Sequence, residues 1–362
     1  VYGFTRDLSR ASSTLQADFS SALNLVTPVA VESAMYRGAN GGMLFRNGQA
    51  IEQLAAVDTV VFDRFGTLTQ PLWRLDHIVP TGTDGEQALL DDFSAVVVAC
   101  LRPQLSTGPG GLPPVVSLTH QEVLAISEHG LHMSVGGRQL SVVTAEALPR
   151  YRVDADPPLS GPETPAGTAV HYLLADGRCV GRINLSNSLA PGCAEAIEAL
   201  REAGIGEVHM VTHEPATGVH PELAALALDG IHCELDELDK LQFIHGLIRE
   251  GRRVALVSDG LFQARGDCLN LCLAARPETR QLDADVWLLW PDLSGIVAAR
   301  KLATRASRVI DRNYRASLAV NGGVLLAASF DLLPPTVAAI LSNSVTLGMM
   351  RTALGLKEES LP

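Results

Sequence analysis

The chain has 362 residues, room for two or three domains and a sizeable core. It is 47% hydrophobic and 19% charged, with mean hydropathy +0.18, so part of it is expected in a membrane. A formal net charge of −12 argues against general nucleic-acid binding, and six scattered cysteines with no Cys-x-x-Cys pair argue for reduced thiols rather than a disulfide framework.

The first residue is Val1 and no signal peptide is visible, so the chain reads as a fragment or a processed product with upstream parts missing. Residues 1–37 read as a membrane-type segment in which Pro28 kinks or starts a helix. A glycine-rich turn and a short strand follow, then an amphipathic helix with Ile51, Leu54 and Ala55 on one face. The apolar run 58–62 then reads as a buried strand with Asp63 at its tip. Residues 72–167 differ in kind. Their short alternating runs and two Gly/Pro-rich stretches, 107–114 and 156–167, mark an inserted domain.

From 168 the period changes. HYLLADGRCVGRINL reads as a hairpin around Asp176-Gly177, and PGCAEAIEALREAG as a helix opened by Pro191 and closed by Gly204. EVHMVTH is a strand, PELAALAL a helix, LDKLQFIHGLIREG a helix and RRVALVSDG a strand. Alternating strands and helices predict a parallel α/β sheet, formed by 38–71 with 168–300 and interrupted by the insertion. Cys268 and Cys272, four apart, would share a helix face as core thiols or, less favoured, as a metal pair. The tail, 301–362, contains an apolar run over 316–350 with Asp331 its only charge. Pro334-Pro335 splits that run into two arms of roughly 16 residues, about 24 Å each. That is short of a hydrocarbon core of about 30 Å. A membrane hairpin, favoured by the flanking Arg312, Arg315 and Arg351, and a buried hairpin of a soluble protein stay open on these residues.

Reactive groups in a parallel sheet gather at the C-terminal strand ends. Asp63, Thr212 and Asp259 each end a strand, and Lys240 opens a helix between the last two. Singly, each is an ordinary turn or surface residue. Together they suit phosphoryl transfer: a carboxylate that attacks phosphorus, a hydroxyl and an ammonium for its oxygens, and a second carboxylate to share Mg²⁺.

VDTVVFDRFGTLT resembles the phosphorylation motif DKTGTLT of the P-type ATPases, of the haloacid dehalogenase-like superfamily. VALVSDGLFQA is similar to their hinge motif GDGxNDA, and VTHEP falls where they have TGDN. NLVTPVAVESAMYRGANGGMLFRNGQAIEQL and the tail resemble membrane helices of the heavy-metal (type IB) members, and the likeness runs in order from about residue 18 to 355. The resemblance implies a haloacid dehalogenase-like parallel sheet with an inserted α+β nucleotide-binding-type domain, flanked by apolar transmembrane helices. It implies ATP-driven export of a transition-metal cation, cytoplasmic catalytic domains on a bacterial inner or plasma membrane, lipid around the apolar helices, and no nucleic-acid partner. Asp63 would accept the γ-phosphate, with Thr67, Thr212 and Lys240 around the transferred group. Mg²⁺ would bind Asp63, Asp259 and the Phe65 main-chain carbonyl, and ATP would meet Gly130 and Gly260.

The departures are as informative. Arg64 stands for the lysine after the nucleophile and Phe65 for the next threonine. Ser258, Phe262 and Gln263 alter the hinge motif, Glu214 replaces the TGD aspartate, and Glu128 replaces the first glycine of the adenine-side motif. The Cys-Pro-Cys of the type IB membrane helix is Asp18-Phe19-Ser20-Ser21 here, a hard-oxygen set, to which Asn321, Ser342 and Ser344 can add or which they merely pack beside. The actuator domain with its TGE loop, which hydrolyses the aspartyl-phosphate, is absent, so an upstream domain of the same protein is expected as a partner. A pseudo-pump with the fold and no turnover is the rival reading. A soluble phosphatase is disfavoured, because its general-acid Asp would stand at Phe65.

Overall fold

The computed structural model describes residues 19–70, 73–80, 105–106, 121–127, 130–135, 137–144, 148–151, 168–216, 219, 221–260, 262–273, 283–290, 292–330 and 332–357. Asp18, Glu128, Asp331 and both Gly/Pro-rich stretches of the insertion lie outside the described residues, as do the side chains of Ser20 and Ser21. By contacts the chain divides into two units. One holds the described residues up to Asp63, Pro191–His209, and those from Leu238 on; the other holds those of Arg64–Ala190 and Met210–Glu237.

The first unit is built on a mainly parallel sheet. Its strands are β1 (Met43–Phe45), β2 (Thr59–Asp63), β10 (Glu207–Val211, which runs on into the second unit), β12 (Val254–Ser258), β13 (Leu269–Leu273) and β14 (Val286–Leu288). Their order is β1-β14-β13-β12-β2-β10; β14, β13, β12 and β2 run parallel, and β1 pairs antiparallel with β14. All five residues of β12 and the first four of β2 are buried, as parallel strands covered on both faces require. The strand read from 58 begins at Thr59, because the Asp58 carboxylate turns outward to accept from the Thr59 hydroxyl and the Arg253 amide. Cys268 and Cys272 lie before and within β13, not on a helix, so they share no helix face and serve as buried core thiols.

The helices of this unit are α1 (Phe19–Asn40), α2 (Gly48–Ala56), α3 (Cys193–Glu202), α5 (Glu237–Arg249, from Leu238 on), α6 (Ser294–Ser329) and α7 (Pro335–Leu354). In α2 the Asn47 side chain caps the Ala50 amide, and Ala50, Ile51 and Leu54 are buried; Ala50, rather than Ala55, completes the apolar face. Pro191 lies two residues before α3, which starts after Gly192. Pro28 sits inside α1 rather than at its start. The first tail arm is not a separate short helix: it continues α6, 36 residues long, and only after the break near Pro334 does α7 begin. Among the described residues one helix, Thr336–Lys357, is long and apolar enough to cross a membrane, and most of its apolar stretch is not buried.

The second unit holds an antiparallel sheet of β3 (Trp73–Pro80), β4 (Leu105–Ser106), β5 (Gln121–Ser127), β6 (Gly130–Val135), β7 (Arg138–Thr144), β8 (Thr168–Ala175) and β9 (Arg178–Ser186), ordered β4-β3-β9-β8-β7-β6-β5 with a parallel β3–β4 edge. The hairpin read at 168 is real. Asp176 and Gly177 take φ of 49° and 78°, the left-handed pair that a tight two-residue hairpin requires. It pairs with β3 and β7, so this sheet runs on to Ser186 instead of ending with the insertion. Of PELAALAL only Pro221–Ala224 is helical, as α4, and β11 (Gly230–His232) follows.

Candidate functional site

In the first unit β2 and β12 run parallel with Val257 opposite Phe62, so both strands deliver their next residues to the same sheet edge. Asp63 ends β2 and Asp259 follows β12. Lys240, in the first turn of α5, reaches back to this edge. Its Nζ lies 2.9 Å from Asp63 Oδ1, and the two side chains are 7% and 14% exposed. Water screens such a pair weakly, so the ammonium and carboxylate fix one another. The Phe262 ring centroid lies 5.2 Å from the same Nζ, a cation–π distance.

The loop after β12 is held tightly. The Ser258 hydroxyl donates to the Phe262 carbonyl at 2.7 Å and accepts from the Gly260 amide at 3.1 Å. Gly260 has φ of 94°, which a side chain would strain. Asn270 closes the rest of the loop, accepting from the Ala264 amide and donating to its carbonyl at 2.9 and 2.7 Å. Asp259 is itself buried. Burial, and secondarily the Asp259 charge, pushes the Cys272 thiol up to about 11.

The second unit carries the other named residues. Arg64–Leu68 forms a tight turn in which Phe65 is extended (φ −70°, ψ 131°) and Gly66 left-handed (φ 69°). The hydroxyls of Thr67 and Thr69 each donate to the Arg64 carbonyl at 3.2 Å. The Arg64 guanidinium pairs with Glu214, both largely buried. Thr212 follows β10; its amide donates to the His232 carbonyl at 2.9 Å, and its hydroxyl accepts from the Glu214 amide at 3.2 Å. Gly130 opens β6 opposite Val143.

So Asp63 and Lys240 are brought into contact, Asp259 follows the neighbouring strand, and Thr67, Phe65, Thr212 and Gly130 belong to the second unit. Two partnerships escaped the sequence: Phe262 over Lys240, and Arg64 with Glu214. All but Lys240 were visible there only as departures from a motif, with nothing in their spacing to pair them. In the tail, Ser342 Oγ donates to Asn321 Oδ1 at 2.9 Å and Asn321 Nδ2 donates to Ser317 Oγ at 3.2 Å, whereas Ser344 is exposed. Among the described residues no group of three or more His, Cys, Asp or Glu gathers.

No family model matches the chain. It is 30% identical over 370 residues to a zinc-exporting P-type ATPase of Mycobacterium marinum (strain ATCC BAA-535 / M), covering 96% of this chain and 49% of that protein. It is 28% identical over 375 residues to a manganese-exporting P-type ATPase of Mycobacterium leprae (strain TN), covering 96% and 49%. The chain thus spans about half the length of the curated relatives it matches. In fold it is similar to a zinc-transporting PIB-type ATPase solved in an E2.Pi state, with a TM-score of 0.62 at 22% identity over 93% of this chain and 56% of the other.

Proposed function

We propose that this chain, a divergent member of the heavy-metal P-type ATPases of the haloacid dehalogenase-like superfamily, is part of an ATP-driven cation exporter in which Asp63 accepts the γ-phosphate of ATP. The buried Lys240–Asp63 contact at the tips of a parallel sheet carries this reading. An Asp63 carboxylate oxygen would attack the γ-phosphorus; the bond to the bridging oxygen would break, and its electron pair would leave with ADP. Lys240 holds Asp63 in place and would offset charge on the transferred oxygens. Thr67 and Thr212 would donate to those oxygens, roles that rest on the motif resemblance.

Asp63 and Asp259 are hard oxygen donors at the ends of neighbouring strands, a pair that fits Mg²⁺, and the motif resemblance would add the main-chain carbonyl of Phe65. When bound, that ion supplies positive charge to the phosphate oxygens. Gly130 and Gly260 are the positions proposed for the nucleotide. Relatives named for zinc and manganese export support a transition-metal cargo, and the Thr336–Lys357 helix supports a place in a membrane; the catalytic units would lie on the cytoplasmic side, as the motif resemblance implies.

The test is acyl-phosphate formation from γ-labelled ATP with Mg²⁺. We expect hydroxylamine-labile label on the wild type and none on Asp63→Asn. Absence of label on the wild type would sink the reading. One observation favours a second reading, a catalytically inactive scaffold or regulator: Phe262 packs on Lys240 where the hinge motif has a polar residue. Micromolar ATP binding by the wild type counts against that rival.

A further inference from the structure

The reaction above leaves one buried ion pair unused. The side chains of Arg64 and Glu214 are 3% and 12% exposed, and each is the other's partner. Desolvating two charges costs several kcal/mol per ion unless further hydrogen bonds hold the pair. Here both residues are tied into their surroundings through the main chain. The Arg64 carbonyl accepts from the Thr67 hydroxyl, the Thr69 hydroxyl and the Thr69 amide, at 3.2, 3.2 and 3.1 Å. The Glu214 amide donates to the Thr212 hydroxyl at 3.2 Å. Asn187 Nδ2 donates to the Thr69 hydroxyl at 3.1 Å, which fastens the turn a second time. One network therefore joins the turn that carries Thr67 to the segment that carries Thr212, and the Arg64–Glu214 ion pair is a side-chain bridge between the two.

We propose that Arg64 and Glu214 are positioning residues acting as one unit, which sets the Thr67 turn relative to the Thr212 segment. The inference rests on the phosphoryl-transfer reading of Thr67 and Thr212. Both residues depart from the motifs this chain resembles, and the structure has them touching, so two apparent erosions are one coupled replacement.

The test is a double-mutant cycle on the whole chain in detergent micelles, with Arg64→Met, Glu214→Gln and both together. Each single change strands a buried charge and should lower the thermal midpoint by about 5 °C or more; the double change should recover most of that loss. Amide exchange over 64–69 and 212–214 should nonetheless run about tenfold faster in the double variant, because the bridge is gone while the fold is not. Its phosphoenzyme should stay about tenfold below wild type despite the recovered midpoint. Additive losses of midpoint, or wild-type exchange in the double variant, overturn the proposal. A wild type that forms no phosphoenzyme defeats the phosphoryl-transfer reading, and the exchange rates still decide whether the pair sets these two segments.

Discussion

The two central strands of the parallel sheet, β2 and β12, bury Thr59–Phe62 and all of Val254–Ser258, and a carboxylate comes in each only where the strand ends, at Asp63 and Asp259. The antiparallel sheet instead admits polar residues mid-strand. Arg182 and Asn184, two apart on one face of β9, are buried and bonded to each other at 3.0 Å. His132 and Ser141 meet across β6 and β7 at 2.7 Å, and Tyr151 closes on the other imidazole nitrogen at 2.9 Å. A strand covered on both faces has no place for an unpaired polar group, so chemistry is forced to its tip. A strand with distinct faces can host polar pairs along its length. The location of Asp63 and Lys240 is thus a consequence of sheet type.

Five changes sharpen or break that contrast, taken from the largest effect down. Lys240→Ala should lower phosphoenzyme about 100-fold, since it removes the buried ammonium 2.9 Å from Asp63. A level within twofold of wild type would separate the sheet tip from the chemistry. Phe62→Ala should cost about 3–5 kcal/mol in denaturant unfolding, and Leu173→Ala in the other sheet about 2–5, both being fully buried. A much smaller loss at Phe62 would mean that the parallel sheet does not pack closely around this ring.

Arg300→Met comes next. Arg300 is buried and donates to the Leu54 carbonyl and, at 3.4 Å, to the Ala203 carbonyl, so it serves the ends of two helices from α6. Its loss should cost about 1–3 kcal/mol, read from the urea midpoint. The smallest effect is on pH dependence. Burial, helped by the Glu195 charge, pushes the Cys193 thiol from 9.0 up to about 12. The folded state then holds its proton where the unfolded chain loses it. The stabilising contribution is complete below pH 9 and declines as pH rises from about 9 towards 12. Cys193→Ala should flatten that decline in urea melts taken across the same range, and an unchanged slope would assign it to other groups.

Much of the first unit was legible in the sequence. Continuous apolar runs bounded by Gly and Asp specify buried parallel strands, and the residue ending each run is fixed by that boundary, so Asp63 and Asp259 could be named. Lys240 could be named because α5 begins just ahead of it. The hairpin at Asp176-Gly177 was legible for the same local reason. What was not legible was the company those segments keep. The hairpin joined the antiparallel sheet because β3 and β7 supply its edge partners, and the first tail arm merged into α6, whose 294–329 stretch contains no proline.

By itself, then, the sequence determined the strand tips, the order of the motifs and the residues that depart from them. These depend on backbone period and turn chemistry, which are local. Only the tertiary structure decided that Arg64 meets Glu214, 150 residues away, and that Phe262 covers the ammonium of Lys240. Those pairings follow from which elements pack together. A buried charge accepts whatever partner the packing brings within reach, and no local pattern records the choice.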